Sequence, residues 1–342
     1  MPENTPGQAA RKKAKATKAQ PKSGAELIQE ELEKQGLTGQ AAAAEIGKLA
    51  GSIGTGAEKE QMPKLIKTTL KERGAKLPIG VVQDGALRRD FEVLSEDDWT
   101  PPVERKIGAI RKDAENMTVG QFVSKILCLT LKRVGKVEFT DRMPQEQKMM
   151  LLSEMFQQDV MYMYIWLRYI HIGRYVKMNV ECGRCSHEPF DFPADLDTLD
   201  VEVYPDGVGT LEQLIAVSEL KNGMEIGSQR FRYVRIKPVQ WKVMEQMTRA
   251  TTQDDWATSE MMFLNSVVGF VGLDRLMVCT QSMLDTMKGK ADIEKLKHDV
   301  DSISAGADMV VSGKCPGCNL RFTRLIQWGY ESFFSNSSVP NR

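Results

Sequence analysis

Two Cys-x-x-Cys turns, Cys182-Gly183-Arg184-Cys185 and Cys315-Pro316-Gly317-Cys318, lie far apart in the chain and constrain its fold more than any other feature. Each follows a short apolar or alternating run, Val176 to Val180 before the first and Met309 to Val311 before the second, and so reads as the tip of a β-hairpin. Four thiolates on two such tips can close one tetrahedral site, because Zn²⁺ takes four cysteine sulfurs at about 2.3 Å. The expected cofactor is therefore a structural zinc held by Cys182, Cys185, Cys315 and Cys318, with the long insert between the turns looping out of the site. A catalytic zinc needs a coordination position open to water, and four thiolates leave none. The residue after the second cysteine of such a turn needs a permissive backbone, which Asn319 supplies better than Ser186.

Two arrangements compete with the shared site: disulfides within or between the pairs, and no metal at all. His187, just past the first turn, could stand in for a cysteine but reads as a surface hairpin residue. Cys128 and Cys279 sit alone in apolar segments that read as helical, where a buried thiol is ordinary. The N-terminus carries no apolar signal segment, so the expectation is folding in a reducing cytoplasm, where disulfides are rare.

Lysine plus arginine and aspartate plus glutamate each number 46 in 342 residues, so no net field draws the whole chain to nucleic acid or membrane. The longest apolar run, Val160 to Ile172, is interrupted by Arg168 and His171 and is shorter than the about 20 residues of a spanning helix. No phosphate-binding glycine loop, dinucleotide fingerprint or nucleophile elbow occurs. His171, His187 and His298 share no spacing of a catalytic centre. These absences point away from an enzyme.

Residues 1–22 carry Arg11, Lys12, Lys13, Lys15, Lys18 and Lys22 against the single acid Glu3 and read as an unstructured basic arm, either a solubilising tail or an arm that orders on a partner or touches nucleic acid. Residues 23–76 read as a helical extension: a capping box at Ser23 to Glu26, a helix over Gln40 to Ala50, a glycine break at 51–56, and a third helix opened by Pro63 with Leu65, Ile66 and Leu70 on one face. The body is expected over residues 77–335, followed by a tail at 336–342. Within it the pattern predicts a strand pair around Val81 and Phe91 to Leu94 and a polar helix from Thr100-Pro101. A helix capped by Thr118 is expected to run to Val134, with Phe122, Ile126, Leu127 and Leu129 in the core. A helix through Val160 to Leu167 has an apolar face wide enough to be buried on more than one side. In the insert, Asn222-Gly223 is the expected hairpin turn, Arg230 to Ile236 a strand with Phe231 and Tyr233 on one face, and Pro238 the start of a helix to Thr251. Further helices are predicted over Ser259 to Phe270, Gln281 to Lys288 and Ala291 to Ser304. The fold class is α+β: a mainly helical body with small antiparallel hairpins and a split, zinc-ribbon-like four-cysteine site.

The order of these features carries a resemblance. Leu77-Pro78 leads to the acidic segment Ser95-Glu96-Asp97-Asp98-Trp99, then to a helix with Cys128 that ends in Arg133-Val134-Gly135. Met149 to Leu152, Leu167-Arg168-Tyr169-Ile170, the first Cys-x-x-Cys, Asp195-Leu196, Asn222-Gly223, Phe231 to Ile236 and Pro238 follow. Gly306-Ala307-Asp308-Met309 enters the second Cys-x-x-Cys, and Phe333-Phe334 close the series. Over roughly Leu77 to Phe334 this is similar to the T-even-type bacteriophage baseplate family, proteins of the baseplate hub and its assembly with relatives in tail-like contractile injection machines; the segment before Leu77 is outside it. The resemblance implies a structural or assembly role without enzyme activity. Implied partners are other tail or baseplate proteins such as the hub, tube initiator or tape measure, in the bacterial host cytoplasm during assembly or in the tail itself. Candidate partner-binding residues are Arg11, Lys12 and Lys13 of the arm and Phe333 and Phe334 near the end. The alternative is a zinc-ribbon nucleic-acid-binding protein or phage regulator that uses the arm.

Overall fold

The structure, a computed structural model, describes residues 63–185, 188–248, 253–273 and 277–326. Contacts divide the chain into Met1–Gly56 and Ala57–Arg342, and every described residue belongs to the second unit. The expected arm and the helices at 23–50 lie outside the described residues.

The fold is α+β, but helix does not dominate, since antiparallel strands take a comparable share. Pro63 opens no helix. Ile66–Thr69 is a strand (β1) paired with Asp200–Val203, and Leu70–Arg73 adds one helical turn (α1) with a Thr69/Glu72 capping box. The β-branched residues Ile66, Thr68 and Thr69 suit a pleated strand, and Leu70 behind them is fully buried. Residues 66–73 thus belong to the body and not to a helical extension.

Lys76–Gln83 (β2) and Ala86–Val93 (β3) form the expected strand pair, extended by Leu131–Val134 (β4) and Val137–Glu138 (β5) into a four-stranded sheet. Between β3 and β4 come the helices Pro101–Lys112 (α2) and Val119–Thr130 (α3). Thr118 caps α3 in a box with Gln121, as expected, but the helix stops at Thr130 and not at Val134. Leu131 turns extended because β3 offers the segment a ladder, Val93 opposite Leu131 and Phe91 opposite Val134, and Gly135, at φ +56°, supplies the tight turn into β5.

After Gln145–Glu154 (α4), Gln157–His171 (α5) forms the centre of the larger core. Val160, Tyr162, Met163, Tyr164, Ile165 and Leu167 are all fully buried, so this helix is covered on several sides. Its ends are fixed by charge. Asp159 in the first turn accepts the Ile79 and Gly80 amides of β2, each at 2.9 Å. Burial pushes the Asp159 carboxyl up to about 6, against the pull of those two amides and of Arg73 and Arg89. Near the other end Arg168 donates to the Gly173 and Tyr175 carbonyls, both at 2.6 Å.

Tyr175–Val180 (β6) and Phe190–Asp195 (β7) then form a hairpin, and Asp200–Val203 (β8) returns to β1. The insert that follows has its own core. Ala216–Ile226 (β9), Gln229–Ile236 (β10) and Val267–Phe270 (β11) make an antiparallel sheet. The helices Lys242–Gln246 (α6), Asp255–Ser266 (α7), Gln281–Leu284 (α8) and Lys290–Ser302 (α9) accompany it, with Val234, Ile236, Phe263, Leu284, Leu296 and Val300 buried between them. Pro238 therefore precedes a short helix and does not begin a long one, and the helix expected over Ser259 to Phe270 gives way to β11 at Val267.

Asn222-Gly223 is not the hairpin turn. The chain reverses at Gly227-Ser228, while Leu220 to Gly223 bulge opposite Arg232. The bulge is held from behind: the Asp292 carboxylate, 1% exposed in the first turn of α9, accepts the amides of Lys221, Asn222 and Gly223 at 2.7, 2.8 and 3.1 Å. Gly223 has φ +78°, and a Cβ there would lie 2.3 Å from the Phe231 carbonyl oxygen. The bulge also shifts the phase of β10, so Phe231 packs against Phe270 while Tyr233 is 44% exposed; the two do not share a face. Val310–Lys314 (β12) and Arg321–Leu325 (β13) form the last hairpin.

Asp292→Ala should destabilise the protein by about 2–5 kcal/mol, because it strands three partly buried amides, and Asp292→Asn, which keeps one acceptor, should fall between it and the native chain. Gly223→Ala should also be destabilising. Denaturant midpoints for the series check the order, and unchanged midpoints would mean that the bulge needs neither group.

A candidate metal centre built from two hairpins

The first Cys-x-x-Cys caps the β6–β7 hairpin and the second caps β12–β13. In the second turn the Cys315 amide donates to the Leu320 carbonyl and the Asn319 amide to the Cys315 carbonyl, both at 2.9 Å. Asn319 adopts φ +57°, the left-handed conformation expected at that position; Ser186 and His187 lie outside the described residues. The backbone amides of Arg184 and then Cys185 bond the Cys182 sulfur and bring its thiol down to about 6, which favours the thiolate that a metal requires.

The hairpins meet through aromatic rings. Phe322 of β13 stands edge-on to Phe192 and Phe190 of β7, with centroids 5.1 and 5.9 Å apart. Gly313 lets them close: a Cβ at that position would come within 2.5 Å of Phe322 and 2.7 Å of Phe192. At their bases, Arg168 grips the start of β6, while the Asp308 amide donates to Asp200 of β8 at 2.8 Å, so each hairpin is anchored to the larger core. Arg168 is fully buried, and burial lowers its guanidinium to about 10.

All four cysteine sulfurs lie within 4.8 Å of one another. Cys182 approaches Cys318 at 3.6 Å and Cys185 approaches Cys315 at 3.7 Å. A disulfide would need about 2.0 Å. Four sulfurs at about 2.3 Å from one ion stand roughly 3.8 Å apart on the edges of a tetrahedron, so the donor set and its spacing can hold one metal ion and are compatible with zinc. Cys315 is buried, at 1% exposure, and the other three are half-buried.

The remaining cysteines are of another kind. Cys128 in α3 and Cys279 are buried, and burial pushes each thiol up to about 12. Cys279 lies outside any helix, just ahead of α8, contrary to the helical reading. His171 stacks on Trp99 at 4.2 Å and bonds the Leu94 carbonyl, while His298 lies beside Asp299 on α9. A surface cavity of about 310 Å³ bordered by Lys237, Gln240, Met261, Asn265 and Val268 has no histidine, cysteine or carboxylate among its described lining residues. Arg11, Lys12, Lys13, Phe333 and Phe334 lie outside the described residues. No helix among the described residues is long and apolar enough to cross a membrane.

Sequence reasoning grouped the four cysteines that the fold brings together but missed their supports. Gly313 in a strand was a readable sign of close approach, whereas the role of Arg168 follows only from the path of the chain.

Comparison of the chain with protein-family models, with curated proteins and with solved structures finds no match.

The full chain should bind one thiophilic divalent ion per molecule, as read by elemental analysis, and Cys315→Ser should release it. Gly313→Ala should lower the affinity for that ion by wedging the two hairpins apart while leaving all four ligands in place. Metal retained by the Cys315 variant at native affinity would mean that the two turns do not share a site.

Proposed function

We propose that this chain is a structural or assembly component of a contractile phage tail baseplate, or of a related injection machine, which docks neighbouring tail proteins through a body clasped by one structural zinc. The observation that carries this reading is the closed set of four sulfurs joining two hairpins 130 or more residues apart in the chain. Such a site fixes a surface and offers no ligand position for substrate. The order of features from Leu77 to Phe334 directs the reading to the baseplate. The partners are other tail or baseplate proteins, such as the hub, tube initiator or tape measure, met in the bacterial host cytoplasm during assembly. In this role the protein works by contact and performs no chemical step.

One observation favours a zinc-ribbon nucleic-acid binder: Arg184 of the first cysteine turn and Lys314, Arg321 and Arg324 of the second hairpin are exposed, and among the described residues none pairs with a carboxylate. Against it, Phe190, Phe192 and Phe322 pack on one another and do not stand out as stacking platforms.

Deleting the gene in a producing cell should stall particles before a complete baseplate, seen by electron microscopy of lysates. Removing Arg11 to Lys22 or substituting Phe333 and Phe334 should weaken incorporation and leave the metal-holding body folded. Normal contractile particles from the deletion strain would overturn the assignment, and a DNA affinity that falls steeply with salt would support the nucleic-acid reading.

A further inference from the structure

The β12–β13 hairpin turns one face toward β7 and the other toward solvent. Its register puts Lys314 opposite Arg321, Ser312 opposite Thr323 and Val310 opposite Leu325. All six are exposed, Val310 at 45% and Leu325 at 60%. Directly opposed like charges destabilise an antiparallel pair, yet neither Lys314 nor Arg321 has a carboxylate partner among the described residues. Beside the β6–β7 strands, by contrast, Lys177 pairs with Asp191 at 2.6 Å and Arg174 with Asp195 at 2.5 Å. The face is therefore graded, with two uncompensated cations beside the metal turn, hydroxyls in the middle and two bare aliphatic side chains at the base.

We propose that this face docks an extended protein segment that sets carboxylates on Lys314 and Arg321 and apolar side chains on Val310 and Leu325. Four residues of strand separate the two ends by about 13 Å, so the partner must carry its acidic and apolar groups at that distance. A polyanionic backbone would satisfy the cations but has no use for the aliphatic end. The inference deepens the docking role proposed above and rests on it by naming the surface and the chemistry of what it receives.

The test uses the full metal-loaded chain and a short fluorescent peptide with a Glu-Glu pair and a Leu-Leu pair separated by alternating threonines, read by anisotropy. The expected results are saturable binding, a loss of roughly tenfold or more in Leu325→Ser, and a larger loss in the Lys314→Glu/Arg321→Glu double variant. That double variant should in turn bind the same peptide with lysines in place of its glutamates. Equal binding of a peptide with threonines in place of its leucines, or tighter binding of a DNA oligonucleotide that is indifferent to Leu325→Ser, would overturn the proposal. Loss of metal from the double variant would assign the cations to the thiolate site instead. Binding that appears only after residues 327–342 are removed would show that the chain's own end covers the face. A peptide that fails to bind while baseplates still require the chain sinks this inference and leaves the assembly role standing; binding without any effect of the gene deletion does the reverse.

Discussion

Burial of the helix at residues 157–171 is the constraint on which the rest of the body depends. An apolar helix covered on several sides needs partners all round it, and the chain supplies them from distant segments: the β2–β3 sheet, the capped helix at residues 119–130 and the β6–β7 hairpin. Charged groups at the helix ends convert that packing into a fixed geometry. Asp159 takes two amides of β2, and Arg168 takes the carbonyls from which the first hairpin departs. Both side chains are fully buried, so the backbone bonds they make are a condition of folding and not an ornament.

The candidate metal centre inherits this arrangement. A two-stranded hairpin alone is marginal in water, and neither cysteine turn would hold two sulfurs in a defined place unaided. Each hairpin is set by the core at its base, by interlocked rings at its middle and by the shared sulfurs at its tip. Gly313 stands at the middle of these, where the rings interlock. Most of the insert, from Ala216 to Ile303, folds around a separate core, in which one carboxylate, Asp292, holds a bulged strand against a helix.

What could be read beforehand follows a physical division. The cysteine turns, the Thr118 cap, the buried central helix and the permissive Asn319 were legible because each is local: its signal and its cause lie within a few residues. Pro63, Asn222-Gly223 and Pro238 misled for the same reason. Each has a local preference that admits several structures, and the outcome was decided by a remote partner. For Ile66 to Thr69 the partner is β8; for Gly223 it is Asp292, 69 residues away. Leu131 leaves its helix because β3 offers a ladder. The grouping of the four cysteines was legible from spacing alone, whereas Arg168, Gly313 and the opposed pair Lys314/Arg321 acquire meaning only once the strands are in register.

The separation of the cysteine turns in the chain also has a consequence in time. Synthesis proceeds at about 5–20 residues per second, so Cys182 and Cys185 leave the ribosome on the order of ten seconds before the sulfurs that complete their site. During that interval the first hairpin is an open thiol pair, and the part of the insert from Ala216 to Ile303 has time to collapse around its own core before the second turn arrives. The four sulfurs therefore meet last, over parts already shaped, and their meeting tests whether both ends of the insert have come back to the same place.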